Sequence, residues 1–193
     1  MFSYSDKNIN FHHTLDRITN EKTEVSTAVH AHKQNEIFYF LQGKASFLVE
    51  GHIYKLVPGS IMIMRSGELH KVQILSDAPY ERMALHFDDN ILDFFDPEHT
   101  LLEPFYNRPL GVGNSFPPSS IKGGRIYECL KSIDSAPDNA EMRRIAISAN
   151  LYSILYEIKT GNFYRFMQHS KNLRRVSAYD AQGHQISNRV WPS

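Results

Sequence analysis

The stretch Val29-His30-Ala31-His32-Lys33-Gln34-Asn35-Glu36-Ile37-Phe38-Tyr39-Phe40-Leu41-Gln42-Gly43 decides how this chain folds. Ile37 to Leu41 is a short run of strand-forming residues, and Gln42-Gly43 ends it with a turn signal. Side chains alternate along a strand, so Glu36, Phe38 and Phe40 share one face and Tyr39 takes the other. Phe38 and Phe40 are therefore candidates for the interior, packing first and forming a ligand wall second.

Working outward, the same texture repeats. Val25 to Val29, Ala45 to Val49, Ile53 to Leu56, Ile61 to Met64, Val72 to Leu75 and Tyr80 to Phe87 all read as short strands. Glu50-Gly51, Pro58-Gly59 and Ser66-Gly67 fall between them, where an antiparallel sheet reverses. Many short strands in sequence favour a barrel or sandwich over a parallel sheet with crossover helices.

In such a scaffold one strand face brings His30, His32 and Glu36 together, and a later strand returns His70 beside them. Three imidazoles and a carboxylate suit a borderline divalent metal: zinc, iron, nickel, copper or manganese all accept this donor set. The same groups also suit a polar, metal-free pocket. Arg65, just before Ser66-Gly67, is a candidate for pairing with an anionic ligand at the mouth. His12, His13, His52 and His86 read as local polar or surface groups.

Asp88 to Pro118 is irregular and rich in aromatics and prolines, a connector or a cover over the pocket. Helical periodicity follows. Gly124 to Ile133 forms one helix, and Asp138 with Glu141 three residues later marks the capped start of another. On that second helix Ile147, Leu151, Ile154 and Ile158 widen the apolar surface beyond what one solvent-facing helix needs, so they are candidates for a dimer interface as well as for internal packing. The organisation expected is an N-terminal arm, β domain and covering segment over residues 1–118, a helical dimerisation element over 119–160, and a basic polar tail over 161–193.

Composition narrows the classes. The chain has 193 residues with 21 basic and 21 acidic side chains, so no global charge bias draws it to nucleic acid or a membrane surface. Its single cysteine, Cys129, excludes an internal disulfide and lies at helical spacing among Ile126, Leu130 and Ile133. No stretch approaches a membrane span, and a soluble, cytoplasmic protein is expected.

His30-Ala31-His32-Lys33-Gln34-Asn35-Glu36 followed by Gly43 resembles the first cupin motif, and Pro58-Gly59 with Gly67-Glu68-Leu69-His70 resembles the second. The resemblance implies a mainly β chain, a cupin-type double-stranded β-helix (jelly-roll barrel) followed by a C-terminal helical element, with His30, His32, Glu36 and His70 at the family's metal-ligand positions. Arg65 stands where cupins often place proline. More narrowly, Val29 through Phe87 with the helices from Gly124 to Lys159 looks like the N-terminal sensor domain of AraC-type transcription regulators. That resemblance implies a small polar effector, such as a sugar, bound inside the β domain and a homodimer formed through the helices. Such regulators continue into two helix-turn-helix units, which the region after Gly161 is too short to build, so no autonomous DNA binding is expected. The competing expectation is a stand-alone metal-dependent cupin enzyme, an oxygenase or isomerase. No separate general base is evident in the sequence, which weighs against it.

Overall fold

The computed structural model describes residues 3–16, 28–116, 118 and 123–161. Nine strands form two antiparallel sheets among these residues. They are β1 (Ser3–Ser5), β2 (Ile9–Asp16), β3 (Asn35–Gln42), β4 (Ala45–Val49), β5 (His52–Lys55), β6 (Ile61–Met64), β7 (His70–Ile74), β8 (Tyr80–Phe87) and β9 (Ser115–Phe116). The larger sheet runs β1-β2-β8-β3-β6-β9 and the smaller β5-β4-β7. The α-helices are the single turn α1 (Glu103–Tyr106), which precedes β9, then α2 (Gly123–Asp134) and α3 (Ala140–Thr160).

The expectation of a closed barrel is corrected here. Neither sheet closes on itself among the described residues; β1 and β9 are the edges of one, β5 and β7 the edges of the other. The physical reason lies in what alternation specifies. It fixes which face of a strand is buried and which hairpins form, but closure requires edge strands to pair, and these edges are short, with three residues in β1 and two in β9. One isolated bridge, His30 to His70, joins the segment before β3 to the start of β7.

Strand β3 shows why the layers stack as they do. Asn35 through Phe40 are all buried, so both of its faces are covered. Ile37 and Tyr39 look toward α2 and α3, in a core shared with Ile63, Leu85, Phe87, Leu130, Ile133 and Leu151. Phe38 and Phe40 look the other way, into a second core between the sheets with Phe47, Val49, Met62, Met64 and Tyr80. The β4–β5 reversal is a two-residue hairpin in which Glu50 and Gly51 both have positive φ, at 47° and 84°. That matches the right-handed twist of the flanking strands.

Helix α3 starts at an Asn139 cap whose side chain accepts a hydrogen bond from the Met142 amide at 3.0 Å. The sequence placed the start at Asp138, which instead forms an ion pair with Arg143 at 2.7 Å. Ile147, Leu151, Ile154 and Ile158, read as a candidate dimer face, are all 0% exposed within this single chain. They form the floor on which the large sheet rests. The apolar side chains that α3 does expose are Met142, Ile145 and Tyr156. No helix among the described residues is long and apolar enough to cross a membrane. The tail expected over 161–193 lies, past Gly161, outside the described residues.

Candidate metal centre and ligand cavity

Between the sheets lies a cavity of about 530 Å³ whose lining includes His12, Thr14, Phe38, Phe47, Tyr80 and Arg82, with His30, Glu36, His70 and His86 around one end. Strand register builds it in layers. Glu36 of β3 stands opposite His86 of β8; Phe38 stands opposite Ala84, and Ala84 opposite His12 of β2; Phe40 stands opposite Arg82, and Arg82 opposite Thr14.

In the first layer three imidazoles converge on one carboxylate oxygen. Glu36 Oε2 is 3.0 Å from His32 Nε2, 3.2 Å from His70 Nε2 and 3.6 Å from His86 Nε2. Ligand atoms of His32, Glu36 and His86 all lie within 4.8 Å of one another, and this triad can hold a divalent metal ion. Burial alone would raise the Glu36 pKa, but the imidazoles of His32, His70 and His86 outweigh it and hold the carboxyl well below its usual range. Glu36 is therefore an anion at neutral pH.

The outer nitrogens decide the tautomers. His32 Nδ1 donates to the Gln34 carbonyl at 2.7 Å and His70 Nδ1 to the Glu68 carbonyl at 2.7 Å. A carbonyl only accepts, so each neutral ring keeps its lone pair on Nε2, pointed at a carboxylate that is itself an acceptor. Two acceptors cannot face each other stably without a cation between them. Among the described residues Nε2 of His70 is buried without a geometric hydrogen-bond partner, although it lies 3.2 Å from Glu36 Oε2. An orphaned buried nitrogen, backbone-fixed tautomers and an ionised carboxylate together are the donor set of a metal site with its outer shell in place.

His70 is positioned through its neighbour. The Glu68 side chain is wholly buried and takes both guanidinium nitrogens of Arg108, at 2.7 and 2.6 Å, together with the Gly111 amide at 2.8 Å and the Asn114 side-chain amide at 3.0 Å. With that side chain locked, its carbonyl presents a fixed acceptor to His70. Glu68 had no role in the sequence reading, because its partners come from a loop some forty positions downstream.

Of the residues singled out from sequence, the structure brings Glu36, His32 and His70 together, with His70 beside the triad of His32, Glu36 and His86. His30 is exposed; its backbone pairs with His70 and its ring meets the His70 ring edge-on at 4.5 Å, at the rim of the cavity and outside the triad. His86 takes the place inside. Phe38 lines the cavity, whereas Phe40 lies behind it in the core between the sheets. Arg65 is not at a mouth: its Nη1 donates to the carbonyls of Tyr106 and Arg108, each at 3.3 Å, and so pins the connector. Arg82, which sequence reasoning passed over, is the cavity's cation. His12 also faces inward, and burial together with the neighbouring His86 and Arg82 lowers its pKa. The signal that finds these residues is parity on β8, where Tyr80, Arg82, Ala84 and His86 share the face opposite Met83, Leu85 and Phe87.

A family model described as the AraC-like ligand binding domain matches residues 12–154. Solved structures similar in fold include the Cnp3 cupin domain of Schizosaccharomyces pombe, with 13% identity over 48% of this chain and 66% of that one at a TM-score of 0.40. A cupin protein from Bacteroides fragilis has 20% identity over 42% of this chain and 67% of that one, TM-score 0.35. A DMSP lyase from Ruegeria pomeroyi has 24% identity over 44% of this chain and 40% of that one, TM-score 0.34. No curated protein matches the chain.

Proposed function

The chain belongs to the AraC-like ligand-binding domain family, and from that premise we propose that it is the effector-sensing part of a cytoplasmic transcription regulator, with a small organic effector bound between its two sheets. The observation that carries this reading is the cavity itself: about 530 Å³, apolar along its walls, with imidazoles gathered on Glu36 at one end. A metal held by His32, Glu36 and His86 would supply a Lewis-acidic anchor for an oxygen of the effector. His70 would orient beside it.

Coupling to the helices is built into β3 and β8. Phe38 and Ala84 face the cavity, while the adjacent Ile37, Tyr39 and Leu85 pack toward α2 and α3. The Tyr39 ring lies 5.8 Å from that of Tyr127 on α2. A ligand that shifts either strand therefore moves residues on which both helices rest, and it biases the surface they present. The exposed Met142, Ile145 and Tyr156 of α3, with the nearby Phe94 and Phe95, are the face proposed for homodimer contact.

The test is sedimentation of the protein across a panel of small organic ligands, with binding followed by calorimetry. Ligand binding that shifts the monomer–dimer balance supports sensing; binding with an unchanged balance across the panel counts against it. A second reading, metal-dependent catalysis, has one observation in its favour: His12 lines the cavity with a lowered pKa and so is neutral and able to accept a proton near pH 7. Turnover of a bound compound that is lost in His12→Gln with metal content unchanged would favour the enzyme.

A further inference from the structure

The end of the cavity away from Glu36 holds a set of polar groups that the metal triad does not use. Among the described residues Thr14 Oγ1 and the Tyr80 hydroxyl are both buried without a geometric hydrogen-bond partner, and both residues line the cavity. Tyr80 is 0% exposed. Buried hydroxyls are ordinarily paired, and two unpaired ones facing a single space mark where a ligand atom belongs. Beside them Arg82 sits opposite Thr14 in the β2–β8 register, with its guanidinium carbon 5.5 Å from the centre of the Tyr80 ring. Among the described residues Arg82 forms no ion pair: Glu81, on the other face of β8, is held by His13 at 2.9 Å, and Asp16, opposite Tyr80, does not reach Arg82. Among the described residues the cavity therefore contains a guanidinium that no carboxylate pairs at ion-pair distance, set beside the Tyr80 hydroxyl and the Thr14 hydroxyl.

Phe38, Phe47, Val72, Ile74 and Ala84 lie along the walls. Along β8 His86 and Arg82 are four positions apart, about 13 Å at a strand rise of about 3.3 Å per residue. Such a space is elongated, apolar along its length and polar at its ends, which is more apolar contact than a free sugar needs.

Resting on the reading of this cavity as the effector site, we propose that Thr14, Tyr80 and Arg82 form an anion subsite, and that the effector is an organic carboxylate with an elongated apolar body. The guanidinium and the two hydroxyls grip the carboxylate, and the aromatic and aliphatic walls take the body. This subsite is separate from the metal triad and works with or without a metal.

The experiment is calorimetric titration of the full chain with octanoate, 1-octanol and acetate, repeated on Arg82→Met and Thr14→Val. Octanoate should bind at least tenfold more tightly than octanol, with acetate far weaker than both. Arg82→Met should bring octanoate and octanol within about twofold of each other, and Thr14→Val, a gentler change in shape, should weaken octanoate several-fold while sparing octanol. Near-ultraviolet circular dichroism checks that each variant is folded. Octanol binding as tightly as octanoate, or a carboxylate preference that survives both substitutions, overturns the anion subsite and leaves the cavity reading intact. Failure of all three compounds on wild-type protein also overturns it, and the cavity reading is then judged separately by the panel of small organic ligands, uncharged ones included.

Discussion

His70 Nε2 lies 3.2 Å from Glu36 Oε2 while Nδ1 of the same ring is held 2.7 Å from the Glu68 carbonyl. Burial alone would lower the His70 pKa, yet the Glu36 carboxylate more than offsets this and raises it. The protonated His70 ring therefore persists in the metal-free protein to pH values where an ordinary imidazole has lost its proton.

A metal entering this cluster must displace that proton, and its affinity is tied to pH. Zinc affinity should fall at least about tenfold between pH 7.5 and pH 6.0, with proton release on binding. Calorimetry in two buffers of different ionisation enthalpy reads both quantities. Affinity that is flat across this range would place the metal elsewhere.

The Glu68–Arg108 pair predicts the opposite edge of the pH profile. Burial would raise the Glu68 pKa, but hydrogen bonds from Arg108 and Gly111 lower it below its ordinary value. A carboxylate with a depressed folded-state pKa contributes stability above its unfolded pKa, and that stability is lost as pH falls through the folded value. The contribution of this pair should hold between pH 7 and pH 5 and fall away below about pH 4.3, where an unperturbed glutamate is half-protonated, so the melting temperature should drop there. Arg108→Ala, which leaves a buried carboxylate unpaired, should cost about 3–5 kcal/mol by denaturant unfolding at pH 7. A loss under about 1 kcal/mol would mean that water reaches Glu68.

Helix α3 separates folding from association. Ile154 is wholly buried against the sheet, so Ile154→Ala should destabilise the fold by about 2–5 kcal/mol. Ile145 is 53% exposed, and Ile145→Asp should leave the melting temperature nearly unchanged while weakening dimerisation measured by sedimentation. A dimer unaffected by Ile145→Asp would move the proposed interface off this face.

The Asn139 cap offers a smaller check. Asn139→Ala removes the bond to the Met142 amide and should cost about 1 kcal/mol, read from the denaturation midpoint.

Legibility from sequence followed physical range. The parity of β3 placed Glu36 and Phe38 on the cavity side because alternation is a property of the strand itself. His86 and Arg82 were missed because they owe their places to the β3–β8 and β2–β8 registers, which pair positions some fifty and seventy residues apart. Helix α3 is apolar on two faces, and periodicity shows both without saying which one the sheet will take; Ile147, Leu151, Ile154 and Ile158 went inward and Ile145 stayed out. Closure of the strands into a barrel was inferred from hairpin signals that speak only for neighbouring strands. Arg65 was placed at a mouth from its turn position alone, whereas the connector's carbonyls decide where its guanidinium lies.

The metal centre is tested by cobalt(II) titration followed by visible absorption on wild-type protein, Glu36→Gln, His86→Ala and His30→Ala. One equivalent of cobalt should bind the wild type with d–d bands, which should be lost in Glu36→Gln and His86→Ala and retained in His30→Ala. A wild-type protein that binds no cobalt, or bands that survive Glu36→Gln and His86→Ala but vanish in His30→Ala, would contradict that centre.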